Sequence, residues 1–164
     1  MAREKNEGEG KSLSEARNYL KSLLKHRPRT RQEAEKRLTE KGYEEEVVEE
    51  VLDWAEKGDL IDDAAFAQLW IEDRLQHKPK SVSLLRKELL QKGVPKKIVE
   101  EKLKKTGAEE GEKSRCRELA QKRVKRYRGE DKESKYRKTL GFLLRRGFPR
   151  GLAHRTLKDL LDDE

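Results

Sequence analysis

The groups able to do chemistry in this 164-residue chain are few, and they do not converge. Its imidazole and thiol groups are His26, His77, His154 and Cys116. His26 and His77 open matching tripeptides, His26-Arg27-Pro28 and His77-Lys78-Pro79, that read as helix ends. Partial positive charge is favourable there. Cys116 lies in a basic stretch, which favours a lowered thiol pKa, but no histidine is near it in sequence. The pairs Asp62-Asp63 and Asp162-Asp163 read as a helix cap and a terminal tail rather than metal ligands. No Gly-rich phosphate loop, serine nucleophile elbow or Cys/His metal spacing is present. The expectation is a binding protein, not an enzyme, with no cofactor and no metal.

What remains is charge. The net of +8 is unevenly spread. Residues 13–61 hold 10 basic and 12 acidic residues, net −2; residues 62–107 hold 11 and 7, net +4; residues 108–164 hold 17 and 11, net +6. Within 113–128 eight basic residues face one acid, Glu118. A helix this basic, ending near Tyr127, suits phosphate or an acidic protein groove. The candidate surface is Arg115, Arg117, Lys122, Arg123, Lys125, Arg126 and Arg128, with Arg86, Lys87, Lys96, Lys97, Arg145 and Arg146 in support. The acidic first third suits a protein partner instead.

The elements that must position these groups are announced by a phrase that occurs three times. Residues 37–52 read RLTEKGYEEEVVEEVL, residues 88–103 ELLQKGVPKKIVEEKL, and residues 142–157 FLLRRGFPRGLAHRTL. In each, a leucine (Leu38, Leu89, Leu143) precedes a glycine (Gly42, Gly93, Gly147) by four positions, and Lys or Arg stands directly before the glycine. Such a glycine ends a helix in the left-handed conformation, and the apolar residue after it (Tyr43, Val94, Phe148) folds back on the helix. Pro95 and Pro149 are compatible with the start of the next helix. A recurring unit of about 50 residues means an array of similar modules.

Each module has room for three helices. The first shows capping-box patterns at Ser12/Glu15 and Thr30/Glu33. Its apolar positions are Leu13, Ala16, Leu20, Leu23 and Leu24, then Ala34 and Leu38, then Val47, Val48, Val51, Leu52 and Ala55. The second offers Phe66, Leu69, Trp70 and Ile71, then Leu84, Leu85, Leu89 and Leu90 after Ser81, then Ile98, Val99 and Leu103. The third is looser, with Leu119, Ala120, Val124 and Tyr127, then Leu140, Leu143 and Leu144, then Leu152, Leu157, Leu160 and Leu161. No strand alternation appears.

The predicted fold is all-α, three tandem three-helix modules with nine helices. Residues 1–11 are expected as a disordered tail, and 12–61, 62–107 and 108–164 as the three repeats. At about 1.5 Å per helical residue the array would be an elongated, curved rod of roughly 60–70 Å. Charged residues are 45% and hydrophobic residues 32% of the chain, so each module has a thin core and leans on its neighbours. The lone cysteine excludes an internal disulfide and suits a reducing cytosol. No apolar run approaches a membrane span.

Residues 16–75, ARNYLKSLLKHRPRTRQEAEKRLTEKGYEEEVVEEVLDWAEKGDLIDDAAFAQLWIEDRL, resemble the RecX regulatory protein family. The resemblance lies in the basic loop after the first helix, the Leu-x-x-Lys-Gly helix end, and the junction Gly58-Asp59-Leu60-Ile61-Asp62-Asp63-Ala64-Ala65-Phe66-Ala67. Residues 78–101 are similar to the family's second module, with Lys78 where many members carry a small residue; the likeness covers about 12–161, specific through 16–103 and weaker after 108. What it implies is a cytoplasmic, monomeric regulator of the RecA recombinase in DNA repair and the SOS response. Such proteins lie in the groove of the RecA–single-stranded-DNA filament and inhibit its ATPase, strand exchange and coprotease activities. They touch single-stranded DNA weakly and without sequence preference. The alternative is a direct, helix-turn-helix-like DNA-binding protein.

Overall fold

A computed structural model describes residues 3–162, with side chains from Ser12 onward. The expected tail, 1–11, lies outside the residues whose side chains are described. Nine α-helices and no strand occur among the described residues: α1 (Arg3–His26), α2 (Arg31–Glu40), α3 (Glu45–Lys57), α4 (Asp63–His77), α5 (Val82–Gln91), α6 (Lys96–Lys105), α7 (Glu112–Arg126), α8 (Lys132–Arg145) and α9 (Arg150–Asp162). No helix among them is long and apolar enough to cross a membrane. Ser12 lies inside α1 instead of capping it; no proline upstream stops the helix.

The chain divides into two compact units, Met1–Ala67 with Leu90–Ile98, and Gln68–Leu89 with Val99–Glu164. In the first, Ala16 and Leu20 of α1, Ala34 and Leu38 of α2, and Val48, Val51, Leu52 and Ala55 of α3 share one core with Ile61. These positions recur every three or four residues, so each helix turns one stripe inward. Thr30 caps α2 by a reciprocal box, its hydroxyl accepting from Glu33 N–H while Glu33 accepts from Thr30 N–H.

In the second unit, Cys116, Ala120 and Val124 of α7 meet Leu143 of α8 and Ala153, Leu157 and Leu161 of α9. Ile71, Leu85, Leu89, Val99 and Leu103 are also fully buried. Two expected core leucines point outward: Leu69 is 59% exposed and Leu90 41%. The inward positions beside them are taken by Ile71 and Leu89, so one turn of each helix carries an apolar residue on its wet side.

Gly42, Gly93 and Gly147 all have positive φ, at 94°, 83° and 84°. Phe148 N–H returns to Leu143 C=O and Tyr43 N–H to Leu38 C=O, the closure a left-handed helix end makes. Tight packing at two of these glycines goes beyond that. A Cβ on Gly93 would lie 2.0 Å from Gln32 Oε1, and one on Gly147 would lie 2.5 Å from Ser81 Oγ and 2.7 Å from Leu84 Cβ, whereas nothing lies within 4 Å of one on Gly42.

Candidate binding surface

Those two contacts belong to a joint built twice. In the first unit the Thr30 hydroxyl donates to Lys92 C=O at 2.5 Å, and Arg31 N–H donates to Asp63 Oδ1 at 2.9 Å. In the second, Ser81 N–H donates to Arg146 C=O at 3.0 Å, and Val82 N–H donates to Glu112 Oε1 at 2.8 Å. Each time, the N-terminus of a second helix receives an acid that opens a later first helix and the carbonyl just before a repeat glycine. Free N–H groups at a helix start take such acceptors readily. Asp62 caps α4 itself, accepting from Ala65 N–H. The Asp62-Asp63 pair therefore caps two different helices.

The expected basic residues fall into two groups. Arg117, Lys122, Lys125 and Arg126 are exposed on α7, and Arg128 follows them. No acid lies within 4.0 Å of these five among the described residues. Cys116, Ala120 and Val124 occupy the opposite, buried face. Lys87 and Arg145 are likewise exposed in the second unit, and Lys96 and Lys97 in the first. The two lysines sit in the first turn of α6, where cations oppose the helix dipole. Helix stability does not explain them.

The second group is committed to the fold. Arg115 is half-buried and donates to Ala108 C=O, and burial lowers its pKa. Arg86 makes a two-point ion pair with Glu100 at 2.6 and 3.0 Å and reaches Glu109; hydrogen bonding to Glu100 raises its pKa. Arg123 lies 4.6 Å from the Phe142 ring and 5.5 Å from Tyr127. Arg146 covers Phe142 at 5.2 Å and Lys138 covers Tyr127 at 5.2 Å. Arg146, Phe142, Arg123, Tyr127 and Lys138 thus alternate cation and ring, a packing motif within the second unit.

Sequence spacing alone did not reveal three further features. Arg31 ties α2 to α3 through Glu49, Asp53 and Glu56. Trp70 donates to Glu88, which also meets Lys80 and Arg74. Tyr136 hydrogen-bonds His154 Nδ1. The only advance signal was position: Glu49 and His154 each stand seven residues after a repeat glycine. Cys116 is fully buried, and burial raises its pKa despite a bond from Thr156, so the basic helix does not activate it. No cluster of three or more metal-binding side chains exists among the described residues.

The fold defines an all-α array of three-helix modules bearing an exposed basic face that pairs with no acid among the described residues. Models of the first, second and third three-helix domains of RecX match residues 16–54, 62–103 and 110–157 in that order. Regulatory protein RecX of Amycolatopsis mediterranei is 34% identical over 146 residues, 89% of this chain and 83% of the relative. The Streptomyces coelicolor protein of the same name is 32% identical over 98% of this chain and 85% of its own length. The crystal structure of RecX from Lactobacillus salivarius shares the fold, with a TM-score of 0.79 at 23% identity over 94% of this chain and 99% of that one. This chain belongs to the RecX family of regulatory proteins.

Proposed function

We propose that this chain is a cytoplasmic regulator that binds the groove of the RecA–single-stranded-DNA filament and inhibits RecA's ATPase, strand exchange and coprotease activities. The observation that carries the reading is the row Arg117, Lys122, Lys125 and Arg126 on α7, with Arg128 just beyond it, exposed and without a paired acid among the described residues while the other face of the helix is core. Lys96 and Lys97 add cations placed against the helix dipole. Modules of this kind gain avidity by touching successive protomers of a repeating partner, each with modest affinity. DNA contact is then weak and non-specific, and the chain acts as a monomer without catalysis.

The test is co-sedimentation with RecA filaments, with and without DNA, alongside the DNA-stimulated ATPase rate. The variant Lys125→Glu/Arg126→Glu leaves the packed Arg123 in place. It should raise the half-inhibitory concentration about tenfold, the equivalent of about 1.4 kcal/mol. Unchanged inhibition by a variant with native circular dichroism would remove this surface from the mechanism.

A further inference from the structure

A groove of about 620 Å³ opens on the second unit between α8 and α9, with Tyr136, Leu157 and Leu161 along its floor and Lys132, Arg155 and Lys158 at its edge. Glu133 and Asp162 also line it, and Asp162 is paired with Lys132 at 2.8 Å. Its size is that of a ligand pocket, but its position in the repeat says more.

Counted from the repeat glycine, Leu157, Lys158 and Leu161 correspond to Leu52, Asp53 and Glu56 in the first copy and to Leu103, Lys104 and Gly107 in the second. Counted from the helix cap, Lys132 corresponds to Arg31 and Val82, and Tyr136 to Glu35 and Arg86. In the first copy this face is covered by the chain itself. Ile61 is buried with Leu52 and Ala55, and two residues on, Asp63 takes the Arg31 N–H. In the second copy Ala108 is buried and its N–H bonds Leu103 C=O; Glu109 reaches Arg86 and Glu112 takes the Val82 N–H. Both occupants share one chemistry: an aliphatic side chain followed within four residues by a carboxylate, Asp63 or Glu112, that takes the first N–H of the second helix.

The third copy is better suited to that chemistry than the other two. Arg155 and Lys158 stand where the first copy has Glu50 and Asp53 and the second has Glu101 and Lys104. Both are exposed, with no acid within 4.0 Å among the described residues. The Lys132–Asp162 pair repeats the ion pairs that Arg31 makes with α3, which do not prevent Asp63 from binding.

We propose that the α8–α9 groove is a docking site for a short acidic segment of a partner protein, one aliphatic anchor seated over Leu161 and Tyr136 and its carboxylates on Arg155 and Lys158. The inference stands apart from the filament reading, since it rests on the chain's own internal joints.

A fluorescein-labelled peptide with the sequence of residues 60–70, LIDDAAFAQLW, is the probe. Titrated with the full chain, its anisotropy should rise saturably with a Kd of about 1–100 μM. Arg155→Glu/Lys158→Glu should weaken binding at least about tenfold, and so should Asn at both aspartates of the peptide. Lys122→Glu/Lys125→Glu on α7 should leave it unchanged. Lys158→Ala gives a milder variant if the double reversal misfolds, and should weaken binding about threefold. Absence of saturable binding, or equal weakening by the α7 variant, would overturn the site. Sedimentation showing that the full chain associates with itself through Arg155 and Lys158 would overturn the assignment of the occupant, making it a second copy.

Discussion

The backbone N–H of Arg31 ends on the carboxylate of Asp63 at 2.9 Å, although 32 residues separate them. Val82 and Glu112 repeat the bond at 2.8 Å across 30 residues. A helix start that already has its own cap, Thr30 or Ser81, gains a further acceptor from a later piece of chain. This ties the stability of α2 and α5 to residues far along the sequence.

Alanine at the three repeat glycines should separate helix ending from joint. All three have positive φ, so each loses roughly 1–2 kcal/mol from the left-handed conformation. Gly42→Ala should cost little more, because the space beside it is open. Gly93→Ala and Gly147→Ala should cost a further 1–3 kcal/mol or so from overpacking. Urea denaturation followed by circular dichroism measures this; equal losses at all three would remove the joint from the account.

Asp63→Ala should destabilise by about 1 kcal/mol, the worth of a helix cap. Asp63→Asn keeps an acceptor for Arg31 N–H and should stay within about 0.5 kcal/mol of the parent. Burial, followed by Glu56 and Asp62, raises the Asp63 pKa, against the pull of Arg31 N–H. Its ionised form is therefore disfavoured in the fold: the stabilisation is present in acid and is lost as pH rises through the folded pKa. The asparagine variant should compare best with the parent near neutral pH, and thermal melts at several pH values would reveal the reverse trend.

Glu33 should behave oppositely. Burial pushes its pKa up, but hydrogen bonds from Arg27 and Lys92 outweigh that and hold it below the usual 4.5. Its contribution is present above that value and is lost as pH falls through the folded pKa. Glu33→Gln should cost about 1–2 kcal/mol at pH 7, and the gap should close as the pH falls through the lowered folded pKa. A gap that persists in acid would show that shape, not charge, is what Glu33 supplies.

Glu88 accepts from Trp70 Nε1 at 3.1 Å and neutralises Lys80 and Arg74, with only 19% of its side chain exposed. Glu88→Ala leaves those groups without it and should cost about 2–3 kcal/mol. Glu88→Gln retains an acceptor for the indole and should cost less. Denaturation followed by tryptophan fluorescence would rank the two; an equal cost would argue that the indole bond contributes nothing.

Much of the helical layout was legible in local pattern. Thr30/Glu33, Ser81 and the Lys/Arg-Gly ends placed their boundaries because caps and left-handed turns depend on a few adjacent residues. Periodicity misplaced Leu69 and Leu90, since adjacent apolar residues on a helix cannot all face inward and only the neighbouring helices decide which does. The basic surface was legible as composition. Its division was not: Arg115, Arg123 and Arg146 look no different in sequence from Lys122, Lys125 and Arg126.

The sequence by itself determined an all-α chain of three repeated three-helix units, its helix stops and its rising positive charge. These follow from spacing and residue type over a single turn or loop. Only the tertiary structure decided that Asp63 and Glu112 cap distant helices, that Gly93 and Gly147 are packed against while Gly42 is open, and which arginines remain available. Each of those outcomes turns on which atoms meet across dozens of residues, and a local pattern carries no record of that.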